Sequence, residues 1–198
     1  MNDMAKLCEQ KLWHQLSVAI EEAVARADFQ GVPGLLIEIY EHFISEFALR
    51  LNPLKLVQIA VRVSQQHVTP QAACAFMENT KALLKDSVAP KSSSASSSSA
   101  PPAEGEEAKA SPEQLQLREP ILFIDMNVGL LQLQDGNAQN AKEYVDEGLK
   151  LLDDIVDVDP SVIASVYSLS SQYHKVQKNF DEYYKNSLLY LAYVSTDN

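Results

Sequence analysis

Cysteine is almost missing from this 198-residue chain. Its two thiols, Cys8 and Cys74, stand far apart in apolar helical contexts without C-x-x-C spacing, so neither a disulfide framework nor a zinc site is indicated and a reduced, intracellular setting is expected. Glycine occurs only six times, and there is no Gly-rich phosphate loop, no G-x-S-x-G elbow and no H-E-x-x-H pair. Nowhere do about 18 uncharged apolar residues run together, as a membrane span needs. The opening MNDMAKLCEQK lacks the charged-then-apolar layout of a secretory signal. Cations are scarce as well: 16 Lys and Arg face 27 Asp and Glu, for a net charge of −11, of which −2 falls in residues 1–86, −2 in 87–113 and −7 in 114–198. That field repels nucleic acid and anionic membranes, and no Lys/Arg cluster relieves it. The expectation is a protein of the cytoplasm and nucleus with no nucleic-acid or membrane partner.

One segment lacks large apolar side chains almost entirely. Residues 87–113 read SVAPKSSSASSSSAPPAEGEEAKASPE, with seven serines among the eight residues Ser92 to Ser99. Such a stretch cannot bury enough surface to offset the entropy of ordering it, so it is expected to be a disordered spacer that contributes reach. The expected organisation is a helical-repeat segment over 1–86, a Ser/Pro/Ala/Glu-rich linker over 87–113, and a tetratricopeptide-like segment of the same solenoid over 114–198.

What the chain has in quantity is helical periodicity. Leu35, Leu36, Ile39, Tyr40, Phe43, Ile44, Phe47 and Leu51 fall on one stripe of a 3.6-residue period, which predicts a single amphipathic helix. Similar stripes run through Leu12, Trp13, Leu16, Ala19, Ile20, Ala23 and Val24, through Ala141, Tyr144, Val145, Gly148, Leu149, Leu152 and Ile155, and through Phe180, Tyr183, Tyr184, Ser187, Leu188 and Leu191. Helix starts repeat one device, a capping residue followed by proline: Asn52-Pro53, Thr69-Pro70, Ser111-Pro112 and Asp159-Pro160. Proline suits the first helical position, where its missing N–H has no partner to lose, and the preceding side chain accepts from a free donor. Ser111 and Gln114 also have capping-box spacing. No segment alternates as a strand does. The fold class is therefore all-α, with helices over 4–27, 33–50, 53–67, 70–86, 113–134, 138–155, 160–177 and 180–195. Eight helices joined by short turns imply a stack of antiparallel pairs. Gly129, Ala141 and Gly148 occupy the small-residue positions of a tetratricopeptide-type repeat of about 34 residues, with Asp135-Gly136-Asn137 at its turn. Asp125 stands where that repeat expects a large aromatic, so the repeat is degenerate.

No catalytic, cofactor or metal site emerges. Glu38, His42 and Glu46 form an i, i+4 ladder able to touch a cation, but they lie opposite the apolar stripe, where a solvated charged face is expected, and no second helix completes the set. Glu9, His14, His67 and His174 are scattered. Ser170, Ser171 and His174 share one helix without a carboxylate partner, and helical serines usually serve close packing. The C-terminal helices are rich in tyrosine: Tyr183 and Tyr184 are expected in the core with Trp13 as a packing residue elsewhere. Tyr167, Tyr173, Tyr190 and Tyr193 stay open between interface filler and partner anchor. A groove that clamps an acidic C-terminus needs Lys, Arg and Asn on its inner helices, and the acidic second half disfavours it. No enzyme activity, cofactor or small-molecule substrate is expected.

Four strings in order, KLWHQLS at Lys11 to Ser17, IYEHFISEFALRLNPLKLVQI at Ile39 to Ile59, VYSLSSQYHKV at Val166 to Val176 and NFDEYYKNSLLYLAYV at Asn179 to Val194, resemble the non-ATPase regulatory subunit 13 family of the 26S proteasome, the family of yeast lid subunit nine. The resemblance implies a PCI-type scaffold subunit of the regulatory-particle lid. In such subunits a right-handed array of helical pairs leads into a winged-helix module, and the arm lies beside the ubiquitin-receptor subunit. Other lid subunits and that receptor are the partners it implies, and it brings no catalytic residues. Two departures accompany it: the long serine tract is peculiar to this sequence, and the chain ends at Asn198 without the winged-helix module. The resemblance leaves two alternatives: a subunit of another PCI complex, the signalosome or translation initiation factor 3, or an independent tetratricopeptide-like adaptor. Which residues bind partners is not legible from sequence.

Overall fold

The proline starts organise the architecture seen in the computed structural model, which describes residues 6–7, 9–25, 34–88, 115–155 and 157–194. The α-helices run Trp13–Ala25 (α1), Leu35–His42 (α2), Pro53–Ser64 (α3), Pro70–Val88 (α4), Arg118–Gln134 (α5), Ala138–Asp154 (α6), Pro160–Val176 (α7) and Phe180–Val194 (α8). Among the described residues there is no strand. Three of the four predicted caps are in place. Asn52 Oδ1 accepts from the backbone N–H of Leu54 at 2.9 Å and of Lys55 at 3.3 Å, Thr69 Oγ1 accepts from Ala72 at 3.3 Å, and Asp159 Oδ1 accepts from Ser161 at 2.9 Å. Ser111-Pro112 and the serine tract from 89 to 114 lie outside the described residues, and α4 continues two residues past its expected end.

Two predicted helices are broken. The first is interrupted at residues 10–12, where the Leu12 N–H reaches back to the Leu7 carbonyl at 3.0 Å and Lys11 is left-handed at φ 56°. The stripe expected to run as one helix over 33–50 stops at His42. It continues as two 3-10 turns, Ile44–Glu46 and Ala48–Arg50. Ser45 Oγ donates to the Glu41 carbonyl at 2.6 Å, competing for the acceptor that an α-helical Ser45 N–H needs. The turns also suit the local packing. Phe43 and Phe47 meet edge to face at 5.1 Å, Trp13 stacks on Phe47 at 6.2 Å, and the Arg50 guanidinium sits 5.1 Å over the Trp13 ring. The tighter turns still bury Ile44, Ala48 and Leu51. Gln66 Oε1 caps α2 from a distance, accepting from the Leu36 N–H at 3.1 Å.

Helix α5 is apolar on more than one side, as an interior helix must be. Its Ile124 and Val128 join a cluster with Leu16, Ile20, Leu56, Ile59 and Met77, while its Leu122 and Met126 join a second with Val145, Val162, Val166 and Leu169. Helices α4 and α5 are antiparallel and in fixed register: Gln71 bonds Asp135, Cys74 meets Gln132, and Lys81 pairs with Asp125. Each step up α4 matches an equal step down α5, so the same register brings Val88 level with Arg118. The serine tract therefore joins two neighbouring helix ends. Replacing residues 89–114 by a linker roughly four times shorter is expected to keep the helical circular-dichroism spectrum and raise stability by about 1 kcal/mol, because loop-closure entropy falls by about 0.6 kcal/mol per halving. A urea titration reads this directly.

The helical pairs repeat at 42 residues rather than the expected 34 or so: α5 starts at 118 and α7 at 160, α6 at 138 and α8 at 180. The turns repeat too. Gly136 at φ 89° and Lys178 at φ 60° occupy the same place, and in each turn the following asparagine N–H reaches back five residues, to Gln132 and to His174, both at 2.9 Å. This is the Schellman arrangement, which asks for a left-handed residue. Glycine adopts that conformation without a Cβ penalty and lysine does not. Lys178→Gly is therefore expected to stabilise the chain by about 0.5–1 kcal/mol, read as a higher urea midpoint at unchanged slope.

Candidate functional site

The residues considered for chemistry do not converge. Glu38, His42 and Glu46 are all exposed, and because α2 ends at His42, Glu46 sits in a 3-10 turn off the expected ladder. His14 is exposed on α1 and Glu9 is exposed before it. His67 packs against Phe76 at 5.3 Å, and its Nε2 is buried without a partner. Ser170 is fully buried and its hydroxyl has no hydrogen bond, Ser171 Oγ donates to the Ser168 carbonyl at 2.8 Å, and the His174 ring leans on Tyr173 at 5.3 Å. No hydroxyl here is offered to an imidazole. Among the described residues no group of three or more His, Cys, Asp or Glu is arranged to hold a metal ion, and no helix is long and apolar enough to cross a membrane. Burial, with Asp135 and Glu78 nearby, pushes the Cys74 thiol above its ordinary pKa, opposite to the activation a nucleophile needs. Cys8 lies outside the described residues.

Two of the grooves among the described residues follow the helix stack. One is lined by Glu21, Lys55, Gln58, Arg62, Phe123 and Ser161. In it Lys55 is held by Glu21 at 3.0 Å, and Gln58 donates to Ser161 at 3.1 Å, tying α3 to the start of α7. The other runs between α4 and α6 past Lys81, Asp125, Gln132, Asn140, Tyr144 and Glu147. Its buried ion pair is Lys81 with Asp125, whose side chains are only 16% and 13% exposed. Burial raises the Asp125 carboxyl pKa, against the lowering effect of Lys81 and with further raising by Glu78 and Glu147. Neither groove concentrates cations for an acidic tail.

The surface that departs most from a solvated helix stack is α8. Its inward side is polar and aromatic: Asn186 is buried, Tyr183, Ser187, Tyr190 and Tyr193 are half-buried, and Tyr193 stacks on Tyr167 at 6.0 Å. Burial, then Tyr193 and Asp153, raise the Tyr167 hydroxyl pKa. Tyr183 lies under the Lys175 ammonium at 6.0 Å. Tyr184, expected in the core, is instead 65% exposed. It shares the outward side with Phe180 at 65%, Leu188 at 50% and Leu189 at 41%, and Val176 of α7 is exposed beside the turn. The reason is physical: the side of α8 that meets α7 is the one that carries Tyr183 and Tyr193, against Lys175 and Tyr167, and the bulky apolar side chains fall on the other side. The missed signal was present at the 42-residue offset. Lys142, Asp146, Glu147 and Lys150 on the exposed side of α6 correspond to Tyr184, Leu188, Leu189 and Ala192 on α8.

Comparison with known proteins agrees with this architecture. The family model for PSD13 N-terminal repeats matches residues 1–198. The chain is similar to the 26S proteasome non-ATPase regulatory subunit 13 homolog B of Arabidopsis thaliana, 38% identical over 100% of this chain and 44% of that protein, and to homolog A of the same plant at 35% over the same shares. It is also similar to the 26S proteasome regulatory subunit RPN9 of Saccharomyces cerevisiae, 25% identical over 94% of this chain and 42% of that protein. The chain thus spans less than half the length of the curated relatives it matches.

Proposed function

Because the chain belongs to the family defined by the PSD13 N-terminal repeats, we propose that it serves as a non-catalytic scaffold subunit of the 26S proteasome's regulatory-particle lid, supporting ubiquitin-dependent protein degradation. The observation that carries this reading is the family match over all 198 residues to a helical stack. Shared clusters that join α1, α3 and α4 to α5 support a further proposal, that the segments before and after the serine tract act as one solenoid. Its partners are other lid subunits and the neighbouring ubiquitin-receptor subunit, and it works in the cytoplasm and nucleus without cofactor or small-molecule substrate. Its role is positional: a stacked helical array holds other proteins at fixed separations through an extended surface.

The test is recovery of the complex. Affinity-tagged protein expressed in its own cells is expected to co-purify with lid and ATPase subunits of the proteasome. Recovery of signalosome or translation-initiation subunits instead overturns the assignment. Alanine in place of Glu38 together with His42 is expected to leave both recovery and substrate degradation unchanged.

A further inference from the structure

We propose that Asp135-Gly136, in the turn between α5 and α6, is a site of spontaneous isoaspartate formation that Gln71 of α4 holds dormant and that is released when α4 parts from the turn. The inference stands independently of the scaffold reading. Of the six glycines, only Gly136 follows an aspartate or asparagine. The Schellman turn asks for a left-handed residue at this place, and Gly136 supplies it at φ 89°. The same glycine carries no Cβ beside its nitrogen to keep a neighbouring carboxyl away. One repeat on, the equivalent pair is Gln177-Lys178, in which the longer Gln177 side chain closes a ring less readily and Lys178 brings a Cβ. The reactive pair thus stands in only one of the two like turns.

The step balances without a further reagent. The Gly136 nitrogen attacks the Asp135 side-chain carboxyl carbon, a C–N bond forms, and the carboxyl's hydroxyl leaves with the amide proton as water, closing a succinimide. Water then opens the ring. Attack at the side-chain carbonyl restores aspartate; attack at the main-chain carbonyl leaves the chain running through the side-chain carbonyl, with the former main-chain carbonyl as a free carboxylate. The folded turn opposes the first attack. Asp135 is at φ −76° and ψ −1°, which turns the Gly136 nitrogen away from the side chain, and the Gly136 N–H donates to the Leu133 carbonyl at 3.2 Å. Gln71 Nε2 donates to Asp135 Oδ1 at 2.6 Å, whereas Asn137 Nδ2 reaches Oδ2 only at 3.5 Å. Nothing lies within 4 Å of the place a Gly136 Cβ would take, so hydrogen bonds and not packing hold the pair apart. Of these holds only Gln71 comes from outside the α5–α6 turn, and parting α4 from the turn removes it first. The product carries an extra backbone carbon, which displaces the Gly136 and Asn137 N–H groups from Leu133 and Gln132 and takes the carboxylate away from Gln71. A transient opening becomes a permanent loosening of the turn.

The full chain is incubated at neutral pH and physiological temperature, and its tryptic peptide from Glu119 to Lys142 is followed by electron-transfer fragmentation, which distinguishes isoaspartate from aspartate at residue 135. Wild type in urea is expected to form isoaspartate there, and folded wild type to do so at least about tenfold more slowly, because the turn must first open locally. Gln71→Ala, at an exposed position, is expected to raise the folded rate about threefold, the worth of one exposed hydrogen bond, with helical circular dichroism unchanged. Asn52→Ala removes a helix cap elsewhere and is expected to leave the folded rate where it was. Asp135→Glu is expected to abolish the product. Isomerised protein, separated by chromatography, is expected to unfold at lower urea than the unmodified chain. Equal rates in folded and unfolded wild type overturn the inference, as does a Gln71→Ala rate equal to that of wild type. Equal acceleration by Asn52→Ala and Gln71→Ala makes global unfolding the trigger and overturns it too, and so does isoaspartate at Asp125 of the same peptide in place of residue 135.

Discussion

Replacing Lys81 by methionine is expected to destabilise the protein by about 2–3 kcal/mol at neutral pH, toward the low end for breaking a buried ion pair because both side chains keep some contact with water. Lys81 is the ammonium that hydrogen-bonds Asp125 in the α4–α5 seam. Without it the carboxylate keeps its burial and its two acidic neighbours, Glu78 and Glu147, and loses the group that lowers its pKa. The pH dependence follows from the direction of that shift. A carboxyl whose pKa is raised in the folded state binds its proton more tightly there than in the unfolded chain, so its penalty is absent below the unfolded pKa and complete above the folded one. The Lys81→Met deficit is therefore expected to shrink as pH falls into the carboxylate range and to be largest at neutral pH and above. Lys81→Met with Asp125→Leu removes both charges and is expected to recover most of the loss, since well-packed apolar pairs often match or exceed buried ion pairs. Urea titrations of wild type, single and double variants at several pH values measure each of these terms.

The sites where sequence and structure agree share a local cause. Asn52, Thr69 and Asp159 cap helices because the residues that accept and the proline that lacks a donor are neighbours in the chain. Gly129, Ala141 and Gly148 were readable because close helix contact demands small side chains at helical spacing, and Ala141 and Gly148 are indeed buried in the α6 interface. The disagreements come from long-range packing. Periodicity alone makes Leu35 to Leu51 one helix, yet Trp13 and Arg50 meet from outside and inside that stretch, and the turns that accommodate them are 3-10. Periodicity also shows that α8 has an apolar side without showing which side its neighbour takes. Contacts from α7 decide it: Tyr167 stacks on Tyr193 and Lys175 lies over Tyr183, so Asn186 and the tyrosines turn inward and Leu188 does not. The apolar face of α8 was thus legible as a stripe, and its outward orientation was not.

The two interface glycines are expected to respond very differently to the same methyl group. A Cβ on Gly129 stands 2.7 Å from Leu169 Cδ2, 3.1 Å from Tyr144 Cβ and 3.3 Å from Tyr144 Cγ. Leu169 Cδ2 is the end of a side chain and can turn, but the first atoms of the Tyr144 side chain are fixed to the α6 backbone, so Tyr144 cannot yield without moving a helix. A Cβ on Gly148 comes as close, 2.7 Å from Met126 Sδ and 2.8 Å from its Cε, but these are the far end of a flexible side chain that can change rotamer. Alanine is favoured over glycine inside a helix by about 1 kcal/mol, while overpacking a filled interior costs about 1–3 kcal/mol. Gly148→Ala is therefore expected to be nearly neutral, Gly129→Ala to lose about 1–2 kcal/mol, and Gly129→Val about 3 kcal/mol as further carbon enters the same gap. Equal losses at the two positions in urea unfolding would mean that Met126 is held as rigidly as Tyr144. A clear difference would locate the closest approach of the repeat at the point where α5, α6 and α7 meet, which is the contact that sets the angle between successive helical pairs and hence where the face of α8 is carried.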